Sequence, residues 1–289
     1  MAIIGHERTI GDMQRLAGSG ALGHGYIFSG PSMVGKRTVA RAFGKFLEKG
    51  SFEVPAEGEV LQDLMVVDLM FMQMRNPEAS GDSIGIDAAR EMKGFLWQRP
   101  NASPRRIVIV DGADLLTTEA QNALLKITEE PPASSLLILI ASDPEAILAT
   151  IRSRLPEVHF GTVPERAIAE WLAGTEGVTE AHAASFAKRA RGTPGLAWRL
   201  AHDEAFRATL ERAERFLAAP AAARKDLIKK LIEPDDFSLR RFLEAIVTVL
   251  AWRDPSPANA ALWHKALRLS ENAGNAPLNP RLQLEALMR

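Results

Sequence analysis

Short apolar runs alternate with amphipathic segments through the first half of the chain. Five runs have the length and continuous apolar character of buried strands. They are His24–Gly30, Leu64–Leu69, Arg106–Val110, Ser135–Ser142 and Glu157–Phe160. Between them, apolar residues recur at helical spacing, as at Val39, Ala42, Phe43 and Phe46. Strands this apolar, separated by helices, predict an α/β fold with a parallel sheet covered on both faces.

Polar residues and prolines predict the ends of two helices in this half. Thr118, followed three residues later by Gln121, fits a capping box, and the prolines at 131 and 132 end that helix. Asp143, directly before Pro144, fits an N-cap with proline at the first helical position.

After about Gly161 the pattern changes to helices only. We therefore predict three domains: an α/β core at 1–161, a small helical domain at 162–202 and an all-helical domain at 203–289. No short-period repeat divides the chain further.

Composition removes several classes of function. The 289 residues carry a formal net charge of -1, which gives no global sign of nucleic-acid or membrane binding. The absence of cysteine excludes disulfides, thiolate zinc sites and cysteine nucleophiles. The N-terminal sequence has no basic-then-apolar signal peptide and no apolar run reaches transmembrane length, so we expect a cytoplasmic protein.

The stretch GPSMVGKRT contains the phosphate-loop pattern GxxxxGK between a predicted strand and a predicted helix. Backbone N–H groups and the helix N-terminus would hold a β-phosphate, and the lysine would neutralise the outer phosphates. The nucleotide-binding candidates here are Gly30, Pro31, Val34, Gly35, Lys36, Arg37 and Thr38. A glycine turn that caps a helix without any ligand is the alternative. Arg37 stands where a Ser or Thr would bind Mg²⁺, so metal coordination is left open.

Asp111 ends the apolar run 106–110 and fits the second metal-ordering position of a nucleotide site. A surface aspartate that ends a strand is the alternative. Many nucleotide hydrolases place a glutamate next, to position the attacking water, but this chain has Gly112. We expect Asp114 to be a poor replacement, because it points in another direction. General-base assistance is worth orders of magnitude in rate, so these residues favour a protein that binds nucleotide without turning it over.

Three stretches in this order and spacing carry a resemblance: HGYIFSGPSMVGKRT, IVIVDGADLLTTEAQNALLKITEEPP and LLILIASDPEAILATIRSRL. They resemble the AAA+ core of bacterial DNA polymerase III clamp-loader subunits, the delta-prime type above all. The resemblance covers about residues 4–160, and NALLKITEEPP followed by TIRSR is its most specific part. It implies an AAA+ P-loop core, a helical lid at 162–202 and a collar-like oligomerisation domain at 203–289.

The resemblance also implies roles for individual residues. Ser153 and Arg154 match a motif whose arginine reaches a neighbouring subunit's ATP as an arginine finger, although Leu155 stands where the family has cysteine. Ser142 matches the polar position that senses the γ-phosphate, with a strand-end serine bonded to backbone as the alternative. Gly195 falls where hydrolysing members carry a lid arginine. With Arg37 and Gly112 also departing, the pattern resembles a subunit that gives an arginine and does not hydrolyse ATP.

Cofactors and partners follow from the same resemblance. ATP or ADP is the expected ligand, and no zinc is expected, because the cysteine-free segment EKGSFEVPAEGEVLQDL stands where many members carry a four-cysteine module. The expected partners are gamma/tau and delta type subunits in a hetero-oligomeric ring, the sliding clamp and, through the assembly, primer–template DNA. The alternatives are an ATP-hydrolysing gamma/tau-type motor, another AAA+ ATPase, or an unrelated P-loop kinase or switch protein.

Overall fold

The computed structural model describes residues 3–75, 83–233, 237–254, 256–272 and 279–288. Within these ranges one parallel sheet is formed in the order β2-β3-β4-β1-β5. Its strands are β1 (Gly25–Ser29), β2 (Leu64–Val67), β3 (Arg106–Asp111), β4 (Ser135–Ile140) and β5 (Glu157–His159). The predicted α/β core with a parallel sheet is therefore confirmed, and each strand differs from its predicted run by only one or two residues at either end.

Helices cover both faces of the sheet. They are α1 (Glu7–Gly18), α2 (Lys36–Lys49), α3 (Leu69–Arg75), α4 (Ile86–Leu96), α5 (Thr118–Glu129) and α6 (Ala149–Arg152). Alternate residues of β3 serve the two faces, since Ile107 and Ile109 pack on the side of α1 and α2. Val108 and Val110 pack on the side of α4 and α5. This period of two, with both faces buried, explains the continuous apolar runs of the sequence.

Helices follow the sheet to the end of the described chain. They are α7 (Glu165–Ala173), α8 (Glu180–Ala190), α9 (Pro194–His202), α10 (Glu204–Ala218), α11 (Arg224–Ile232), α12 (Leu239–Trp252), α13 (Pro257–Asn272) and α14 (Pro280–Leu287). The chain divides into two compact units, Met1–Ala197 and Trp198–Arg289. The sheet, α7 and α8 share the first unit. The three-domain division at residues 161 and 202 stays a prediction.

Thr118 is wrong as the cap of α5, whereas Asp143 is confirmed as an N-cap followed by Pro144, although of a shorter helix than predicted. The hydroxyl of Thr117, not Thr118, accepts the N–H of Ala120 at 3.2 Å and caps α5. Asp143 caps only a single 3₁₀ turn, Pro144–Ala146, and α6 begins three residues later. Across the described ranges, none of the helices combines the length and apolarity needed to cross a membrane.

A buried carboxylate fixes the edge of the sheet at which the strands begin. Asp63 is fully buried and accepts the backbone N–H groups of Asn101, Ala102 and Ser103 at 2.6–3.0 Å. It also pairs with the Nη1 atom of Arg106 at 3.0 Å. Burial by itself would raise the pKa of Asp63, but the three backbone hydrogen bonds and the charge of Arg106 outweigh it and lower the pKa.

An ion-pair cluster occupies the segment between α2 and β2. Glu59 accepts hydrogen bonds from Lys49 at 2.6 Å, from the backbone N–H of Ala56 at 2.8 Å and from Lys45 at 3.1 Å. These bonds lower the pKa of Glu59 to about 2. The segment is thus attached to α2 by charge. Over the part of the chain that the structure covers, no group of three or more His, Cys, Asp or Glu residues is placed to hold a metal ion.

Candidate nucleotide-binding site

A cavity of about 760 Å³ lies at the edge of the sheet where β1, β3 and β4 end. Ligand sites of open α/β sheets form at this edge, because the loops after parallel strands converge there. The loop after β1, the turn after β3 and the residue after β4 all line the cavity, together with the N-terminal segment at 3–6 and the start of α9. Of the predicted nucleotide-binding residues, the lining contains Val34, Gly35, Lys36, Arg37, Thr38, Asp111 and Ser142.

Glycines give the loop after β1 its tight path. Gly30 has φ 130°, and a Cβ atom there would lie 2.1 Å from the carbonyl oxygen of Phe160, so no other residue fits. Gly35, with φ 111°, precedes the first residue of α2 and leaves the helix N-terminus open to the cavity. Met33 also has positive φ, 62°, although it carries a side chain. The backbone therefore has the form that a phosphate loop requires.

Lys36 is folded back on this loop. Its Nζ atom donates to the carbonyl oxygens of Gly30 and, at 2.8 Å, Pro31, and the residue is 5% exposed. Burial lowers the pKa of Lys36, while the charges of Asp114 and Asp111 act in the opposite direction. The lysine is thus held beside the loop, near the place where outer phosphates would lie.

Arg37 joins two carboxylates across the floor of the cavity. Its Nη1 atom donates to Asp68 at 2.8 Å and to Asp111 at 2.8 Å. Burial would lower the pKa of Arg37, but the charges of Asp111 and Asp68 raise it above its usual value. The sequence identifies Arg37 and Asp111 as candidates. It misses Asp68, which directly follows β2 and carries no motif of its own.

These residues do not fit a magnesium ion. Mg²⁺ in a P-loop site takes a Ser or Thr hydroxyl from the first turn of the helix and is ordered by the aspartate after the third strand. Here the first position is a guanidinium, which donates hydrogen bonds and cannot bind a metal. The aspartate, Asp111, already binds that guanidinium. Thr38, one residue further along α2, is turned by roughly 100° about the helix axis.

The end of β4 lies close to the phosphate loop. The Oγ atoms of Ser142 and Ser32 are 2.9 Å apart, and the backbone N–H of Ser142 donates to Asp114 at 3.2 Å. Gly112 has φ 88° and presents no side chain to the cavity that it lines. Asp114, which the sequence gives little weight, lines the cavity as well. Of the two carboxylates that raise the pKa of Lys36, that of Asp114 has the larger effect.

The start of α9 contacts the phosphate loop directly. The backbone N–H of Gly195 donates to the carbonyl oxygen of Met33 at 2.9 Å. A Cβ atom on Gly195 would lie 3.0 Å from the Cβ of Met33 and 3.1 Å from that carbonyl oxygen. This close approach favours glycine at position 195. The sequence identifies Gly195 but gives no sign of this contact, which depends on how two distant segments pack.

The N-terminal segment contributes residues that no sequence motif identifies. His6, with φ 63°, places its Nε2 atom 2.9 Å from the carbonyl oxygen of Val34 and its ring 4.9 Å from that of Phe160. Ile3 and Ile4 line the cavity beside it. The segment before α1 is thereby attached to the phosphate loop and forms an apolar part of the cavity wall.

The two predicted catalytic residues lie elsewhere, at the end of α6. Arg154 is exposed, and its Nη2 atom pairs with Glu129 at 2.8 Å while Nη1 donates to the carbonyl oxygen of Thr150 at 2.6 Å. The hydroxyl of Ser153 donates to that same carbonyl oxygen at 3.0 Å. Neither residue belongs to the lining of the cavity just described. The structure thus brings seven of the nine nucleotide-binding candidates together in the cavity lining, which does not contain Gly30 or Pro31, and leaves Arg154 on another part of the surface.

Comparison with known proteins identifies the same family along most of the core. The model of the family described as DNA polymerase III, delta subunit, matches residues 5–164, more than half of the chain. Two relatives are DNA polymerase III delta' subunits. The Escherichia coli K12 protein is 35% identical over 121 residues, which are 42% of this chain and 36% of that protein. The Pseudomonas aeruginosa protein is 29% identical over 165 residues, 55% of this chain and 49% of that protein.

A third relative carries a different subunit name. The DNA polymerase III subunit gamma/tau of Mycobacterium tuberculosis H37Rv is 32% identical over 179 residues, 59% of this chain and 30% of that protein. The matched segments therefore span less than half of each of these three relatives. The delta' and gamma/tau proteins match this chain comparably well.

Solved structures share the fold. The gamma subunit-related protein of Thermotoga maritima aligns with a TM-score of 0.57 at 19% identity, covering 96% of this chain and 97% of that one. A RuvB variant from the same organism aligns with a TM-score of 0.50 at 17% identity, covering 93% and 85%. At these identities the likeness supports the AAA+ fold and no more. The family match shows that the chain belongs to the family described as DNA polymerase III, delta subunit.

Proposed function

We propose that the chain is a non-hydrolysing subunit of delta-prime type, which supplies Arg154 to the ATP of a neighbouring clamp-loader subunit. It acts in the cytoplasm within a hetero-oligomeric ring that also contains gamma/tau and delta type subunits. The ring opens a sliding clamp and loads it on primed DNA during replication. The chain's own contribution to the chemistry is made in trans.

The position of Arg154 is the observation that carries this proposal. The side chain is exposed, and its guanidinium is oriented by Glu129 and by the carbonyl oxygen of Thr150. It stands outside the lining of the chain's own cavity. An arginine that is oriented, exposed and remote from the site in its own chain is suited to act on a nucleotide held by another subunit.

The cavity of the chain itself also supports a subunit that does not hydrolyse ATP. Gly112 carries no carboxylate to position water, and Arg37 binds the aspartate that would order a metal. Gly195, at the position where the resemblance implies a lid arginine in hydrolysing proteins, has no side chain and donates from its backbone to Met33. Three groups that would orient the attacking water or stabilise the phosphoryl transition state are thus missing together.

The chemistry proposed for Arg154 is electrostatic. Charge spreads over the oxygens of a transferring phosphoryl group, and a planar guanidinium with several donors stabilises that charge. An arginine supplied in trans can raise the rate by about 10³-fold or more. The pair with Glu129 lies at the surface, so releasing the side chain toward a partner costs about 1 kcal/mol or less.

The test is ATP turnover by the purified chain mixed with gamma/tau and delta type subunits of the same organism, clamp and primed DNA. Arg154→Ala is compared with Arg166→Ala, which removes another exposed arginine that pairs with a glutamate. We expect Arg154→Ala to lower turnover by about 10³-fold at the site it serves and Arg166→Ala to leave it unchanged. Co-elution of the subunits confirms that both variants assemble. Equal turnover by the two variants in an intact assembly contradicts the proposal.

An ATP-hydrolysing motor of gamma/tau type is the second candidate, and one observation favours it. The carboxylate of Asp114 lines the cavity and lies close enough to Lys36 to affect its pKa. In a motor subunit, Asp114 would position the attacking water, because Gly112 has no side chain to do so. Turnover by the chain alone, lost in Asp114→Asn, would support the motor. The absence of turnover by the chain alone is what the first proposal requires.

A further inference from the structure

We propose that the cavity binds the phosphates of a nucleoside diphosphate or triphosphate without a divalent cation, with the guanidinium of Arg37 in the place of the metal. The inference rests on the nucleotide site proposed above and specifies how that site neutralises phosphate charge. It concerns binding only and is independent of Arg154.

The position of the Arg37 guanidinium supports this proposal. The Nη1 atom of Arg37 lies 2.8 Å from the carboxylates of both Asp68 and Asp111. Asp68 follows β2 and Asp111 is the last residue of the neighbouring β3, so the guanidinium is fixed where the two strand ends meet. It therefore occupies the position beside Asp111 where an ordinary P-loop site orders its cation. A guanidinium offers five N–H donors, and the pair with the two carboxylates leaves donors free for phosphate oxygens.

The charged groups that line the cavity also support it. Lys36 and Arg37 bring two positive charges to the cavity, against the three carboxylates of Asp68, Asp111 and Asp114. A magnesium ion would have to displace the guanidinium, which breaks its pairs with Asp68 and Asp111, or stand beside it, which brings like charges together in a partly buried site. The phosphates of a nucleotide meet the N-terminus of α2, Lys36 and Arg37, which are all donors of hydrogen bonds.

The size and lining of the cavity indicate the class of ligand. Its volume of about 760 Å³ exceeds what a phosphate group alone would fill. Apolar side chains, among them Ile3, Ile4 and Met70, line the cavity together with the charged loop. A polar end for phosphates and an apolar wall for a ring system are the features of a nucleotide site.

The test is calorimetric titration of the full chain with ADP, once in excess EDTA and once with Mg²⁺. We expect the two dissociation constants to agree within about threefold, since the guanidinium of Arg37 holds Asp68 and Asp111, the carboxylates that would otherwise bind the metal. Inorganic pyrophosphate in EDTA is expected to bind at least about tenfold more weakly than ADP, because it leaves the apolar wall uncovered. Pyrophosphate binding as tight as that of ADP would overturn the assignment to a nucleotide.

Arg37→Ser supplies the matched variant, since it restores the hydroxyl of an ordinary phosphate loop and frees Asp111. We expect this variant to lose ADP affinity in EDTA by about tenfold or more and to regain it when Mg²⁺ is added. Arg41→Ser removes an arginine one turn further along α2, outside the cavity lining, and is expected to bind ADP like the native chain. Circular dichroism checks that both variants are folded.

Two results would overturn the inference. One is ADP binding by the native chain that needs Mg²⁺, and the other is no ADP binding in either buffer. Neither result bears on the arginine proposed to act in trans, because that arginine acts on the nucleotide of another subunit. Conversely, metal-independent ADP binding together with full activity of Arg154→Ala would support this inference and contradict the proposed function.

Discussion

Replacing Asp63 by asparagine tests the account of how the sheet is held at the edge opposite the site. The substitution keeps the shape of the side chain but removes its charge and one accepting oxygen. It places an NH₂ group against backbone N–H donors of the segment 101–103 and leaves Arg106, which is 6% exposed, without a carboxylate. The folded state therefore loses a charge pair and at least one charged hydrogen bond.

The expected loss in the free energy of unfolding follows from these contacts. A hydrogen bond to a charged group contributes about 1.5–3 kcal/mol, and removing one partner of a buried ion pair costs about 3–5 kcal/mol. Because Arg106 keeps hydrogen bonds to the carbonyl oxygens of Gln62 and Arg99, the lower part of that range applies. We expect Asp63→Asn to reduce the free energy of unfolding by about 3 kcal/mol.

The assay is urea unfolding followed by circular dichroism, with Asp87→Asn as the control. Asp87 is an exposed carboxylate paired with Arg90 one turn along α4, and its loss should change stability by less than about 0.5 kcal/mol. A decrease in the free energy of unfolding of less than about 1 kcal/mol for Asp63→Asn would contradict this prediction. It would mean that the hydrogen bonds to Asp63 contribute no net stability.

The same carboxylate predicts a dependence on pH. The pKa of Asp63 is lowered in the folded state, so the folded chain binds fewer protons there than the unfolded chain does. Its contribution is complete above the unfolded pKa of about 4 and is lost as the pH falls below that value. The native chain should therefore lose more stability than Asp63→Asn between neutral pH and acid. Parallel losses in the two proteins would contradict this.

Two further predictions concern the site itself. Gly195→Ala should destabilise the chain by about 1–3 kcal/mol, because the added methyl group meets Met33 at 3.0 Å. Gly94→Ala, in an open part of α4, should be neutral or stabilising in the same urea titration. Glu129→Gln should lower turnover of the mixed subunits by less than about fivefold, since it removes one surface ion pair and Thr150 still orients Arg154. A loss as large as that of Arg154→Ala would instead give Glu129 a role of its own in the chemistry.

The sheet and the phosphate loop can be predicted from the sequence because their signals are local. Strands buried on both faces produce continuous apolar runs, and the turn at Gly30 and Gly35 requires residues that adopt positive φ. Asp111 is predictable as a site residue for the same reason, since it follows such a run directly. Prediction of the caps failed at Thr118 because two adjacent threonines compete for one position, and the local pattern does not distinguish them.

The partners of the site residues could not be predicted, because they depend on contacts between distant segments. Asp68 is 31 residues from Arg37, and nothing in the intervening sequence pairs the two. The contact between Gly195 and Met33 joins the phosphate loop to a helix more than 160 residues later. A glycine and an arginine at unusual motif positions indicate a departure from the hydrolysing pattern. What replaces the missing groups becomes visible only in three dimensions.

The most direct measurement of the central claim is the rate of ATP turnover by the assembled subunits when this chain carries Arg154→Ala, with turnover by the native chain alone measured beside it. We predict no turnover by the native chain alone and, in an assembly of unchanged composition, a loss of about 10³-fold at the site that Arg154 serves. Turnover by the chain alone, or full turnover by the assembly without Arg154, would contradict it.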